Sequence, residues 1–198
     1  MTRQSSDPQG ALALRRASCV TPVRAALRRL QAGERDAAAP AAPVTDADLE
    51  SVEGTYIARM LIEPYAVQRA SLRISRREAD KLGTLAGRIA DARAEGNSAR
   101  ASIANYDFHF ALYDRCGIAA IPLRIRDLWS AYPWDVLHVL RSPAAVEREH
   151  RAIAAAVVDG DPHWIASAVE DHIAGGYRDL VLRLGAEYAR DPFELGAS

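Results

Sequence analysis

Apolar residues return at helical spacing along most of this chain. Leu49, Val52, Tyr56, Met60, Pro64 and Val67 recur every three or four positions and so share one face of a helix. Thr45 or Asp46 is placed to cap it, the run extends to about Leu72, and Pro64 inside it marks a site for a kink. Ser75 caps a second helix, to about residue 95, ended by Glu95-Gly96-Asn97. Ser98 opens a third that ends at Gly117, and a fourth covers about residues 118–131 with Pro122 in its first turns. Ser142-Pro143 starts the next, which ends at Asp159-Gly160-Asp161, and Asp161-Pro162 starts the last, running to about Leu184. Residues 132–140, YPWDVLHVL, fit a short helix less cleanly. No segment alternates as a strand, and no internal repeat is visible. The expected fold is all-α, an antiparallel bundle of about six to seven helices joined by short connections.

Ahead of the bundle the pattern changes. Thr21-Pro22 is a helix start, after which Val23, Ala26, Leu27 and Leu30 share one face while Arg24, Arg28 and Arg29 lie largely off it. Residues 36–44, DAAAPAAPV, hold too few large apolar side chains to pack and read as a linker. The chain therefore divides into a head (1–35), a linker (36–45), a helical domain (46–185) and a C-terminal tail (186–198).

Charge sharpens that division. The whole chain carries a formal −1, yet residues 1–35 hold seven arginines against Asp7 and Glu34, a net +5 that leaves −6 for the remainder. A short basic head on an acidic body points to a polyanion contact at the head. Lys81 is the only lysine among 25 basic residues, a bias that reflects base composition more than function. With 198 residues, 49% hydrophobic and 26% charged, the chain has the make-up of a globular protein with one substantial core. Two distant cysteines, Cys19 and Cys116, make no disulfide framework. No stretch approaches the roughly 20 apolar residues of a membrane helix, and no apolar export signal follows the first charges. The expected location is the cytoplasm.

The candidate chemistry lies in IANYDFHFALYDRCG (103–117). Asn105 and His109, four residues apart, stand one above the other on a helix and can point at one atom. His150 is spaced −4 and +3 from Val146 and Ile153, and His172 is in register with Ile165, Ala168 and Leu180, so both imidazoles face the core. Each is either a hydrogen-bonded core histidine or a ligand. Three of five histidines on inward faces, beside an oxygen donor, fit a divalent metal held between facing helices. Three imidazoles suit zinc or nickel, and the oxygen ligand is compatible with manganese. His138 has no such support, and His163 at a helix start reads as a surface residue.

The pieces RMLIEP (59–64), NYDFHFALYDRCG (105–117), LW (128–129), EHRAI (149–153), DGD (159–161) and DHI (171–173) resemble, in order and spacing, the FadR C-terminal domain (FCD) family. That family is the effector-binding module of one branch of GntR-type bacterial transcription regulators. The resemblance covers about residues 45–184 and implies a divalent metal on Asn105, His109, His150 and His172. It implies a small carboxylate effector that completes the coordination, with Arg59 contributing to its pocket. Arg59 also stands four residues before Glu63, the spacing of an ordinary helix-surface ion pair. Asn105 departs from the more usual Asp: a neutral amide ligates more weakly and leaves the site one charge more positive.

In the head, ASCVTPVRAALRRLQAG resembles the turn and recognition helix of a GntR winged helix-turn-helix. Thr21 and Arg24 match positions that contact DNA in the family, and Arg28 lies one turn on from Arg24. Val20 stands where an Arg is usual, the first helix of the motif is missing, and GERDAAAPAAPV has no strand character to form a wing. Such a partial domain buries too little surface to fold alone. The head is expected either to bind operator DNA, as one of a homodimer's pair, or to serve as a basic amphipathic helix. The functional expectation is a ligand-responsive, DNA-binding regulator. The alternatives are a sensor and dimerisation module without DNA binding of its own, and a metal-dependent hydrolase. The last needs a general base, and Glu149, Asp171 and Asp107 each point away from the ligand they neighbour, leaving Asp114 or another helix to supply one.

Overall fold

The computed structural model describes residues 46–130, 141–183 and 192–193, which form helices joined by turns, with no strand among them. The six helices are α1 (Asp46–Ser71), α2 (Arg76–Ala94), α3 (Ser98–Tyr113), α4 (Ala120–Ser130), α5 (Pro143–Asp159) and α6 (Pro162–Arg183). The head, the linker, the 132–140 segment and most of the tail lie outside the described residues, as do Cys19 and His138.

Local signals set most of the boundaries. The Ser75 hydroxyl oxygen accepts a hydrogen bond from the Glu78 backbone and the Glu78 carboxylate accepts one from the Ser75 backbone N–H, a reciprocal cap that starts α2. Gly160 ends α5 at φ +88°, a conformation that glycine adopts without a Cβ penalty. Two boundaries differ from expectation. The cap of α3 is Asn97, whose side chain accepts from the Arg100 backbone, and Ser98 is already helical. That helix also stops at Tyr113, before Gly117, and the intervening residues form a turn with Gly117 at φ +76°. Helix α1 is continuous through Pro64, which is buried.

Short connections make α2–α3 and α5–α6 antiparallel hairpins. Helix α2 packs between α3 and α5, and α5 lies on α6. Helix α1 takes α6 as its main partner and also meets α3 and α4. Most of the expected inward positions are buried, namely Val52, Tyr56, Pro64 and Val67 on α1, Val146, Ile153 and Val157 on α5, and Ile165, Ala168 and Leu180 on α6, while Leu49 and Met60 of α1 are half-buried. The polar residues buried among them are Arg59, Glu63, Asn105, His109, Arg141, His150 and His172. Seven polar groups in one core must find partners or a ligand there.

Candidate metal centre

Three helices deliver the imidazoles. His109 comes from α3, His150 from α5 and His172 from α6, and all three are buried. Their candidate ligand atoms lie within 4.8 Å of one another, and the ring centroids are 4.8–5.2 Å apart. Each histidine reaches this point because it occupies a core position of its helix, His150 and His172 beside apolar neighbours one turn away and His109 between Asn105 and Tyr113.

The outer nitrogen of each ring is committed away from the cluster. His150 Nδ1 lies 2.7 Å from the Val146 carbonyl, which can only accept, so Nδ1 carries the hydrogen and Nε2 the lone pair. His172 Nδ1 lies 2.7 Å from Glu149 Oε2 and is assigned the same tautomer. His109 Nδ1 lies 3.2 Å from the Tyr113 hydroxyl, which donates onward to Glu63 Oε2 at 2.7 Å. Its oxygen is then the acceptor for the His109 N–H. A carbonyl, a carboxylate and a tyrosine–carboxylate relay thus orient three lone pairs inward, the arrangement that fixes histidine ligands in metal proteins.

Asn105 joins the cluster through His150. Its Oδ1 lies 2.9 Å from His150 Nε2 and the side chain is buried. Burial holds the His150 imidazole down at about 4. Its bond to the Val146 carbonyl opposes this, as does Glu149, while the charges of Arg141 and Arg93 add to it. The ring is therefore neutral at pH 7, and Nε2 and Oδ1 meet as two acceptors. Rotating the amide would pair them by an N–H; a cation between them would use both lone pairs. The donor set of three neutral imidazoles and an amide oxygen fits a borderline divalent ion such as zinc or nickel, and admits manganese.

Two arginine–carboxylate groups flank the histidines. On one side Glu63 accepts from Arg59 Nε at 2.8 Å, from Trp129 Nε1 at 2.9 Å and from Tyr113. The Arg59 guanidinium also lies 5.0 Å from the Tyr56 ring and 5.5 Å from Trp129. The spacing of Arg59 and Glu63 does give an ion pair, but a buried one; burial works against its charge, and Glu63 more than offsets this, so the Arg59 pKa is raised. On the other side Arg141 grips Glu149 with both terminal nitrogens, at 2.9 and 2.7 Å, and reaches Asp179 through Nε at 2.7 Å. Glu149 in turn holds His172. Gly175 of α6 faces this group, and a Cβ there would stand 3.0 Å from Arg141 Nη2 and 3.2 Å from Glu149 Oε1.

The expected ligands His109, His150 and His172 are brought together, with Asn105 against His150. Arg59 lies one relay away, through Glu63 and Tyr113. His163 is at the surface, as expected. Thr21, Arg24 and Arg28 lie outside the described residues. The partners missed by sequence reasoning are Tyr113, Trp129, Arg141 and Glu149, while Glu63 was expected beside Arg59 but at the surface. For Glu149 the signal was present: pointing about 100° from His150 on its own helix aims it toward α6 and His172. Among the candidate bases, Asp107 and Asp171 are exposed, and Asp114 is held by Arg126 at 2.7 Å on the outer surface.

A protein-family model described as the FCD domain matches residues 55–175. No curated protein matches the chain.

Proposed function

The chain belongs to the FCD family, the effector domain of GntR-type regulators, and from this premise we propose that it is a ligand sensor whose histidine centre holds a divalent metal and, on it, a small carboxylate effector. The observation that carries the reading is the convergence of three buried imidazoles whose outer nitrogens are all engaged elsewhere. His109, His150 and His172 would hold the ion, with Asn105 as oxygen donor. Bound there, the ion supplies a Lewis-acidic position for a carboxylate oxygen. Arg59, linked to the ligand shell through Glu63 and Tyr113, is placed to answer a second negative group.

An effector changes DNA binding only if it has different affinities for two arrangements of the dimer. Leu61 and Tyr65 are exposed one turn apart on α1, with Leu72 exposed just past its end, which supports a homodimer. Thr21, Arg24 and Arg28 are the proposed DNA contacts of the paired heads. A gel shift with the promoter of its own or a neighbouring gene separates this from a sensor and dimerisation module without DNA binding. Hydrolysis is disfavoured by the commitments of the two carboxylates nearest the centre, Glu63 to Arg59 and Glu149 to Arg141. No helix among the described residues is long and apolar enough to cross a membrane.

Elemental mass spectrometry of the purified protein tests the centre. About one divalent ion per chain is expected, lost in His150→Ala. Retention in the variant, or no uptake of zinc, nickel or manganese by the wild type, would return these histidines to the role of core polar residues.

A further inference from the structure

The charges around the histidines sum in an informative way. Three carboxylates frame the centre: Glu63, Glu149 and Asp179. Two guanidinium groups pair with them, Arg59 on Glu63 and Arg141 between Glu149 and Asp179, and a third, that of Arg93, lies beside them with Nη2 donating to the Arg141 carbonyl at 2.6 Å. The frame is neutral among the described residues. Tyr56 and Tyr113 are phenols and add no charge, the Tyr113 hydroxyl donating its proton to Glu63. As ligands the three imidazoles and the Asn105 amide bring no charge, and among the described residues no carboxylate joins them. A divalent ion in this setting keeps its full double charge in a core where an uncompensated charge is costly.

We propose that the centre selects a doubly negative small ligand, such as a dicarboxylate, over a singly negative one of the same shape, and that Asn105 sets this preference. The inference rests on the metal reading above and specifies the ligand class. The buried amide of Asn105, in contact with His150, occupies the place where an acidic side chain would cancel one unit of the ion's charge. With an amide there, both units fall to the ligand. The neighbouring carboxylates cannot do the same without abandoning Arg59 or Arg141. A monoanion would leave one positive charge buried; a dianion leaves none. The same charge balance makes Asn105→Asp the diagnostic substitution, because it supplies one negative charge while keeping the size of the side chain.

The test uses the full chain loaded with zinc, after zinc uptake has been measured directly. Malonate and its monoamide, malonamate, have the same length and differ by one charge, and calorimetric titration gives the affinity of each. For the wild type, malonate is expected to bind at least about tenfold more tightly, and Asn105→Asp is expected to shrink that ratio several-fold. The wild-type comparison decides alone if the variant does not fold. Equal affinity for the two probes, or a ratio that Asn105→Asp leaves unchanged, would overturn the charge argument while leaving the metal site in place. Failure of the wild type to take up zinc would instead overturn the metal reading, and this inference with it.

Discussion

His150 titrates at about 4 in the fold and near 6.5 in an unfolded chain. Between those values the unfolded chain takes a proton that the folded one refuses. Its contribution to stability is therefore intact above pH 6.5 and is lost as the pH falls toward 4, by about 3 kcal/mol at most. In chelator-treated protein the urea midpoint should decline across this window, and His150→Gln should flatten the decline. An equal slope in both proteins would assign the effect to other groups. How far such residues were legible follows from what spacing can express. Asn105 and His109 sit four apart on one helix, and His150 and His172 each have apolar neighbours in register, so all four faced inward on the sequence alone. Helix geometry also places Tyr113 one turn on from His109 and turns Glu149 about 100° from His150, but it does not name Glu63 of α1 and His172 of α6, the partners those two side chains meet from other helices. Arg59 and Glu63 were legible as a pair, but their burial depends on Trp129 of α4 and Tyr113 of α3 closing over them.

At the scale of elements, the antiparallel hairpins followed from caps and short connections, because Ser75, Ser142-Pro143 and Asp161-Pro162 have local physical meaning. The partner of α1 did not: its main contact is α6, at the other end of the described chain, although α2 is next in sequence. The contact between α5 and α6 hinges on a missing side chain. Glu149 can reach His172 only because Gly175 leaves room for the Arg141–Glu149 pair. Gly175→Ala should push that pair away, destabilise the protein by about 1–3 kcal/mol and lower metal affinity roughly tenfold or more. Calorimetric zinc titration beside urea unfolding reads both quantities. A variant that loses stability but keeps full zinc affinity would show that Glu149 does not orient His172 for binding.

At the scale of the whole molecule, the three histidines lie on helices that enter the chain far apart, at positions 109, 150 and 172. An ion held by them would tie α3, α5 and α6 together at the centre of the bundle. Ligation needs the assembled core, so binding should stabilise the fold, by about 2.7 kcal/mol when free metal stands at 100 times its Kd. Thermal unfolding with graded zinc should show a midpoint that climbs with concentration, and the climb should vanish in His109→Ala. A flat midpoint would mean that the ion does not bridge the helices. The bundle itself was legible in the sequence, because helical periodicity runs from Leu49 to Leu180. The charge frame was not, since its neutrality is a sum over residues from α1, α2, α5 and α6 together with Arg141, which lies between helices.

The ligand cluster also ties the protein's lifetime to its surroundings. Cellular proteases act on the fraction of molecules that has opened, and a change of 1–2 kcal/mol alters abundance several-fold. A chain whose core is closed by an ion becomes scarce when that ion is scarce. The cell would then read metal supply twice, once in the occupancy of each molecule and once in how many molecules survive to be occupied.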